Sequence, residues 1–408
     1  MSEPDVAGLL TVAEAIKIID NAPVSPRSAE IFLHEADGLY LAQDLRSDRD
    51  YPPFDKSLMD GYAVRLQAGT AAPQDGVELA LAGEVAAGQE ASVAIEPGQA
   101  IAVMTGAPLP RGTEAVVPVE DVQRNGNTVR IARMPPAGRY IGKRGSDVRA
   151  HDIVLTKGTR LDAAQQAAAA SVGAANVNIF VPPRCAVFAT GNEIVPYNEE
   201  PAGAQIRDCN SIMLLSLLRR MGCDAYDLGI VPDDPAQVRA AVEAAADADV
   251  LFITGGMSMG AYDYVPGVLK EMQVELRITK LRIKPGKPFL FGINAASPEL
   301  QYIFGLPGNP VSGFVCTVRL ASRLIQRLRG GRVQEKWVEG TLADPLGENG
   351  DREFYHPVML RDTRIAPMPW KGSADVYTLA RANALLVRPA NDAALSAGSR
   401  VRVLEVPT

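Results

Sequence analysis

Cysteine, histidine and long apolar runs are all scarce in this chain. The four cysteines, Cys185, Cys209, Cys223 and Cys316, have no C-x-x-C spacing and are too sparse for a secreted disulfide framework. They read as free thiols of a reducing compartment, and they argue against a zinc site built from cysteine. Apolar stretches are broken by proline, glycine or charge well before the roughly 18 residues that a membrane-crossing helix needs. The N-terminus lacks a basic segment followed by an apolar one. The expectation is a soluble, cytoplasmic protein without membrane contact. Basic residues are also outnumbered, 41 Lys and Arg against 48 Asp and Glu, for a net charge of -7. Phosphate backbones select basic faces, so this balance argues against nucleic-acid binding, and an anionic ligand would need a local positive site.

What is present is ordinary globular composition, 47% hydrophobic and 22% charged. With about 150 residues per domain, a chain of 408 residues predicts several domains. Val12, Ala15, Ile16 and Ile19 fall at helical spacing, and Pro23 and Pro26 follow outside that helix. Segments such as QAIAVMTGAPLP and EAVVPVEDV mark 51–136 as a separate β-rich unit. Asp162 is the expected N-cap of a helix running to Gly173, followed by a strand in NVNIFVP. Beyond Pro182 and Pro183, strand and helix patterns alternate through CAVFAT, SIMLLSLLRRMG, AYDLGIV, PAQVRAAVEAAADA and DVLFIT. That rhythm predicts a parallel sheet with helices on both faces. Ligands of such sheets bind beyond the carboxyl ends of the strands, where TGNE, VPDD and TGGMSMGAYD fall. Past Lys336, strands in REFYHPVML, ALLVRPA and SRVRVLEVP predict a small β module.

Gly256-Met257-Ser258-Met259-Gly260 has the G-x-S-x-G form of a nucleophile elbow. However, the apolar strand ends near Thr254, and the only histidine after Ser258 is His356, in a strand of the C-terminal module. A triad would need that residue to reach across domains. Two other readings remain, a tight turn in which Ser258 caps the next helix and an oxyanion site. Small residues after a buried strand expose backbone N–H groups, and a helix start adds positive potential. That geometry suits a phosphate or a tetrahedral metal oxyanion. Asp263 and Tyr264 follow in the same loop, and a carboxylate beside a phosphate calls for a cation such as Mg2+.

Other residues fit the oxyanion reading. Arg282, Lys284 and Lys287 in LRIKPGKPF form either a solvated turn or the local positive charge that the acidic chain otherwise lacks. Pro307, Gly308, Asn309 and Pro310, with Ser312 at the start of the next helix, are either punctuation or a second anion-binding turn. Glu193, Asp208 and Asp233 or Asp234 lie on sheet-end loops; each alone reads as a cap or turn residue, and together they read as chelating carboxylates.

Six ordered stretches resemble the MoeA and gephyrin E-domain family, the molybdopterin molybdenumtransferases: PPFDKSLMDGYAV, MTGAPLPRGTEAVV, ATGNEIV, ITGGMSMGAYDY, KPGKPF and GLPGNPVS. The resemblance implies a multidomain α/β plus β fold in four parts. These are a discontinuous, elongated N-terminal domain (1–50 and 137–177), an inserted β-rich domain (51–136), a doubly wound molybdopterin-binding α/β domain (178–330) and a small C-terminal β-barrel (331–408). It also implies a homodimer whose site is shared between subunits, with the adenylylating enzyme of the pathway as a protein partner. The implied reaction takes adenylylated molybdopterin and molybdate, depends on Mg2+, releases AMP and leaves molybdenum on the pterin dithiolene.

Carried over by motif, Asp60 of MDGYA and Thr105 of MTGA face the ligand from the partner chain. Asp147, Glu193 and Asp263 are acidic members of the site, and Lys284 and Lys287 bind phosphate or molybdate. On this reading Asp60, Glu193 and Asp263 hold Mg2+, and these three with the two lysines form the catalytic set. Gly255, Gly256 and Ser258, with Pro307, Asn309 and Ser312, seat the substrate. Scarce histidine is then no obstacle, because phosphoanhydride cleavage develops negative charge that a metal and cations stabilise. The chain departs from the family pattern at Lys56, Ser146, Cys209 and Ala261, where Asn, an acid, Ser and an acid are usual.

Two alternatives are the preceding adenylylation of molybdopterin from ATP and a non-catalytic molybdopterin-binding scaffold. The flanking β modules favour insertion over adenylylation, and the retained Asp60, Asp263, Lys284 and Lys287 argue against a dead site. Ser258 binds an oxyanion by hydrogen bond and forms no covalent intermediate on this reading. Intact-mass analysis after treatment with a serine-directed phosphonate should therefore show no lasting adduct, and an adduct at Ser258 would restore the hydrolase reading.

Overall fold

The computed structural model describes residues 9–65, 76–90, 94–257, 264–296 and 301–406, and the elements, sheets and contacts are those of the described residues. The chain divides into two compact units, one of Met1–Glu30, Gly38–Ala42 and Asn178–Thr408, the other of Ile31–Asp37 and Gln43–Val177. The first helix, α1 (Val12–Asp20), opens with a reciprocal cap. The Thr11 hydroxyl accepts the Glu14 N–H at 3.2 Å, and the Glu14 carboxylate accepts the Thr11 N–H at 2.8 Å. Val12, Ala15 and Ile19 are buried, as their spacing predicts.

The second unit is built on a curled half-barrel of six strands: β1 (Gly61–Val64), β2 (Val77–Val85), β3 (Gln99–Val103), β4 (Ala115–Pro118), β5 (Val122–Asn125) and β6 (Thr128–Ile131), in the order β4-β1-β3-β2-β6-β5. Alternation along each strand separates two cores. Tyr62 and Val64 join Val117 and Val129 on one side, while Ala63 joins Ile101, Val103 and Val116 on the other. With both faces covered, β1 and β4 are buried along their whole length. Asp162 occupies the N-cap position of α2 (Ala163–Ser171), but its side chain makes no capping bond. Its carboxylate lies 3.3 Å from Arg160 Nε, so an ion pair takes the group expected to cap.

The first unit contains the α/β sheet: β7 (Arg184–Thr190), β8 (Asp224–Val231), β9 (Val250–Thr254), β10 (Glu275–Ile278), β11 (Leu290–Asn294) and β12 (Gln301–Leu306), ordered β8-β7-β9-β12-β11-β10. The first four strands in that order are parallel, as expected, while β11 and β10 add antiparallel pairings. For β11 against β12 the reason is connection length, because 295–300 is too short for the crossover of a dozen or more residues that parallel neighbours require; β10, antiparallel to β11, runs in the direction of β12.

The helices are α3 (Asn210–Arg220), α4 (Pro235–Ala244), α5 (Val265–Glu271) and α6 (Pro310–Cys316), the last running through a π turn at Thr317–Ala321 into α7 (Ser322–Leu328). Leu214, Leu218, Val315 and Leu324 pack with Val187, Phe252 and Phe304 on one face; Val238, Val242, Val265 and Leu269 pack with Phe188, Leu251 and Ile253 on the other. The sheet is therefore doubly wound. Asp234 caps α4 through the Gln237 N–H at 3.0 Å with Pro235 in the first turn, matching the sequence signal.

The C-terminal strands β13 (Trp337–Leu342), β14 (Glu353–Arg361), β15 (Arg364–Pro367), β16 (Ala384–Arg388) and β17 (Arg400–Glu405) close into a five-stranded barrel through the β14–β16 pairing. A half-buried polar network ties this barrel and α1 to the long α6–α7 helix. Arg323 forms a fork on Asp20, at 2.5 and 2.9 Å, and also reaches Glu335 at 2.9 Å. Arg319 pairs with Glu335 and donates to Tyr355 Oη at 2.7 Å, and Tyr355 donates onward to Glu353 at 2.5 Å. Arg327 meanwhile holds the Ile19 and Ala22 carbonyls at 2.8 and 2.6 Å. No helix of the described residues is long and apolar enough to cross a membrane.

Phe304 is fully buried, with the rings of Phe252, Phe289 and Phe291 centred 5.1–6.0 Å from its own. Phe304→Ala should destabilise the α/β unit by about 3–5 kcal/mol, read from the shift of its denaturant-unfolding midpoint.

Candidate functional site

Parallel pairing aligns Ala189 with Thr254 and Thr254 with Leu306, so β7, β9 and β12 finish level. A cavity of about 420 Å³ opens at those ends, where the loops after β7, β8, β9 and β12 converge. Its lining includes Glu193, Asp208, Asn210, Asp233, Gly255, Gly256, Pro307, Gly308 and Asn309. This is the position the alternating sequence pattern assigns to a ligand.

The cavity wall depends on a close backbone approach. Gly255 has φ +93°, and a Cβ there would lie 2.1 Å from the Thr190 carbonyl oxygen. Only glycine lets the chain turn at that point. Its N–H donates to the Leu306 carbonyl at 3.1 Å, so the first amide of the loop is used in holding the turn. Gly256, φ +60°, follows in the wall of the cavity.

Two of the cavity's carboxylates are committed to holding loops. Asp233 accepts the Thr190 hydroxyl at 2.8 Å and the Asn192 N–H at 3.2 Å, and its own N–H donates to Asn192 Oδ1 at 3.2 Å. Asp208 accepts the Asn210 and Ser211 amides at 2.9 and 3.1 Å, satisfying donors at the start of α3. Glu193 is exposed on the loop after β7 and lines the cavity. Sequence reading passed over Asn210, whose Nδ2 donates to Thr254 Oγ1 at 2.9 Å and to the Gly308 carbonyl at 2.6 Å. The available signal was an asparagine opening a helix directly after a sheet-end loop.

Other expected residues lie around this centre. Pro307 and Asn309 line the cavity, whereas Ser312, 3% exposed, is buried within α6. Lys284 and Lys287 are not among the lining residues, although Pro288 is. Lys284 is exposed with its ammonium 4.8 Å from the Phe354 ring centre, and the Lys287 carbonyl accepts the Leu281 and Phe289 amides, each at 3.0 Å. Ser258 and Asp263 fall outside the described residues, as does Ala261. Cys209, beside Asp208, is exposed, and partial burial with the neighbouring carboxylate pushes its thiol pKa up.

His356 is partly buried in β14, its Nε2 is 2.8 Å from the Met368 carbonyl, and burial lowers its pKa. That nitrogen is spent on a carbonyl, which leaves it unsuited to receive a serine proton. No group of three or more His, Cys, Asp or Glu among the described residues is arranged to hold a metal ion.

Asp60, Thr105 and Asp147 belong to the other unit. There Asp60 Oδ1 accepts both the Thr105 N–H at 2.6 Å and its hydroxyl at 2.7 Å, and these two bonds hold the carboxyl pKa below its ordinary value. Asp147 is 3.9 Å from the Lys56 ammonium and accepts the Ser146 hydroxyl at 3.0 Å, so Lys56 and Ser146, two of the departures noted in the sequence, meet at this carboxylate. The same unit has a larger open cleft, about 1300 Å³, whose lining mixes Glu120 and Asp121 with Arg130, Arg133 and Arg139.

Comparison with known proteins places this geometry in a family. Residues 10–173 match the MoeA N-terminal region (domain I and II), 186–327 a probable molybdopterin binding domain, and 339–406 the MoeA C-terminal region (domain IV). The molybdopterin molybdenumtransferase of Synechococcus elongatus is 33% identical over 374 residues, covering 89% of this chain and 91% of that protein. That of Haemophilus influenzae is 31% identical and covers 97% and 98%. Among solved structures, the molybdopterin biosynthesis MoeA protein of Pyrococcus horikoshii superposes with a TM-score of 0.85 at 30% identity, over 98% of this chain and 99% of that one. Level strand ends, the glycine turn beneath the cavity and similarity along almost the whole length converge: the chain belongs to the molybdopterin molybdenumtransferase family.

Proposed function

We propose that this protein inserts molybdenum from molybdate into adenylylated molybdopterin and releases AMP. The observation that carries the proposal is the polar cavity at the sheet's carboxyl edge, within the segment matched to a probable molybdopterin binding domain. The relatives named molybdopterin molybdenumtransferase cover nearly the full chain and support the same step. The backbone of Gly256, Gly308 and Asn309 seats oxyanions of the substrate, joined by Ser258. Lys284 and Lys287 supply positive charge to phosphate or molybdate as the phosphoanhydride breaks.

Asp208 and Asp233 already spend carboxylate oxygens on hydrogen bonds within the protein. Glu193 is the remaining acidic residue of the described cavity lining. Glu193 offers a hard oxygen donor of the kind Mg2+ takes, to be completed by further carboxylates and substrate phosphate oxygens. Glu193, Asp263 and Asp60 would hold it. Bound there, Mg2+ neutralises charge on the phosphate oxygens. Asp60, kept ionised by Thr105, faces the ligand together with Thr105 from the partner chain of a homodimer, and Asp147 is a further acidic member of the site. The four-part division at 1–50 with 137–177, 51–136, 178–330 and 331–408 is proposed with it. So are a cytoplasmic setting, consistent with four unpaired cysteines, and the adenylylating enzyme as donor.

Purified protein given adenylylated molybdopterin and Mg2+ should release AMP in a molybdate-dependent manner and yield active cofactor. Adenylylation of free molybdopterin from ATP would favour the preceding step instead, and tight binding without release would favour a scaffold. Asp263→Asn should lower turnover at least tenfold with the melting temperature retained, a loss of about 1.4 kcal/mol of transition-state stabilisation. Unchanged AMP release in that variant removes Asp263 from the mechanism. Thr105→Ala deletes one donor to the charged form of Asp60, so the Asp60 pKa should rise towards its ordinary value in a carboxyl NMR titration.

A further inference from the structure

Asn210 is the only lining residue of the sheet-end cavity with side-chain hydrogen bonds, among the described residues, to both the end of β9 and the turn after β12. The Gly308 carbonyl can only accept, which fixes the amide orientation, with Nδ2 towards Gly308 and Oδ1 away from it. The main chain of Asn210 is itself anchored, since its N–H donates to Asp208 at 2.9 Å. Oδ1 is buried and has no hydrogen-bond partner. A buried carbonyl left unpaired opposes folding. Such a residue weakens the fold locally while fastening two loops together, a combination expected at functional sites.

We infer that Asn210 is a positioning residue: its amide clamps Thr254 and Gly308 so that the Gly255–Gly256 turn and the Pro307–Asn309 turn are held in the spacing that receives the substrate's oxyanion. The clamp adds to a single backbone bond between these segments, the Gly255 N–H to the Leu306 carbonyl at 3.1 Å, beyond which the two turns lie close with little else to hold them. Thr254 Oγ1 is 3.5 Å from the Pro307 carbonyl, at the limit of a hydrogen bond, and a Cβ on Gly308 would be 3.8 Å from the Gly255 Cα. Asn210 contributes no charge and contacts no reacting atom; it works through the two loops. Its effect on a substrate rests on the molybdenum-insertion reading, whereas its effect on the loops does not.

The test compares Asn210→Ala, Asn210→Asp and Thr254→Val with the full-length wild type. Hydrogen exchange of peptides covering 254–257 and 306–309, without ligand, should accelerate about tenfold in Asn210→Ala, the factor equivalent to 1.4 kcal/mol of lost local protection. The melting temperature should move little, because loss of two hydrogen bonds is offset by removal of the orphaned carbonyl. Asn210→Asp keeps the size and reverses donor to acceptor opposite Gly308, and should behave like Asn210→Ala. In AMP release, KM for the adenylylated pterin should rise about tenfold with kcat within about twofold. Adding Thr254→Val to Asn210→Ala should change KM by less than the two single effects combined.

Unchanged exchange in both Asn210 variants overturns the clamp. Accelerated exchange with unaltered KM and kcat overturns the positioning role. A normal KM in Asn210→Asp does the same, since that variant lacks the donor. If wild-type protein releases no AMP, the insertion reading fails by itself while the exchange comparison still decides the clamp.

Discussion

The site depends on parallel register. Once Ala189, Thr254 and Leu306 are paired across β7, β9 and β12, three loops leave the sheet at one level, and the chain has to turn sharply to avoid collision. The collision is concrete: a side chain on Gly255 would enter the Thr190 carbonyl. Strand pairing and glycine together therefore create the cavity, and side chains then line it. Register in turn is fixed by the two apolar cores, because a slip of one residue would exchange Val187, Phe252 and Phe304 with Phe188, Ile253 and Ile303.

An acidic chain that takes an anionic substrate has to keep its negative charge from opposing the ligand. One device is visible. Asp233 and Asp208 direct their carboxylates onto hydroxyl and amide donors of the cavity rim, which leaves Glu193 as the exposed acid there. Backbone dipoles at the turns then suit the remaining task better than a fixed cluster of charged side chains would.

Arg319, Arg323 and Arg327 serve assembly within the first unit. They project from the π turn and α7 towards α1 and β14, and they meet Asp20, Glu335, Tyr355 and two carbonyls at the end of α1. Asp20 and Glu335 are far apart in sequence, so neither partner is visible in the local pattern. The apolar faces of the same helices pack on the sheet, and Tyr355, fully buried, belongs to the same core as Phe304.

Much of this protein was legible before folding was considered. Helical spacing located α1, α3 and α4, apolar runs bounded by turn residues located several of the strands, and the Asp234–Pro235 pair marked the start of α4, because each is a local consequence of backbone geometry. Motif order was enough to state the family resemblance, and the alternation of strands and helices was enough to point to the sheet edge where the cavity lies. Tertiary structure decided what depends on partners distant in sequence. It turned Asp233 onto the Thr190 hydroxyl, 43 positions away. It also brought Asn210 against Thr254 and Gly308, residues 44 and 98 positions away. Sequence fixes local conformation through each residue's own sterics and polarity, whereas the use of a polar side chain is settled only when folding sets another donor or acceptor within about 3 Å of it.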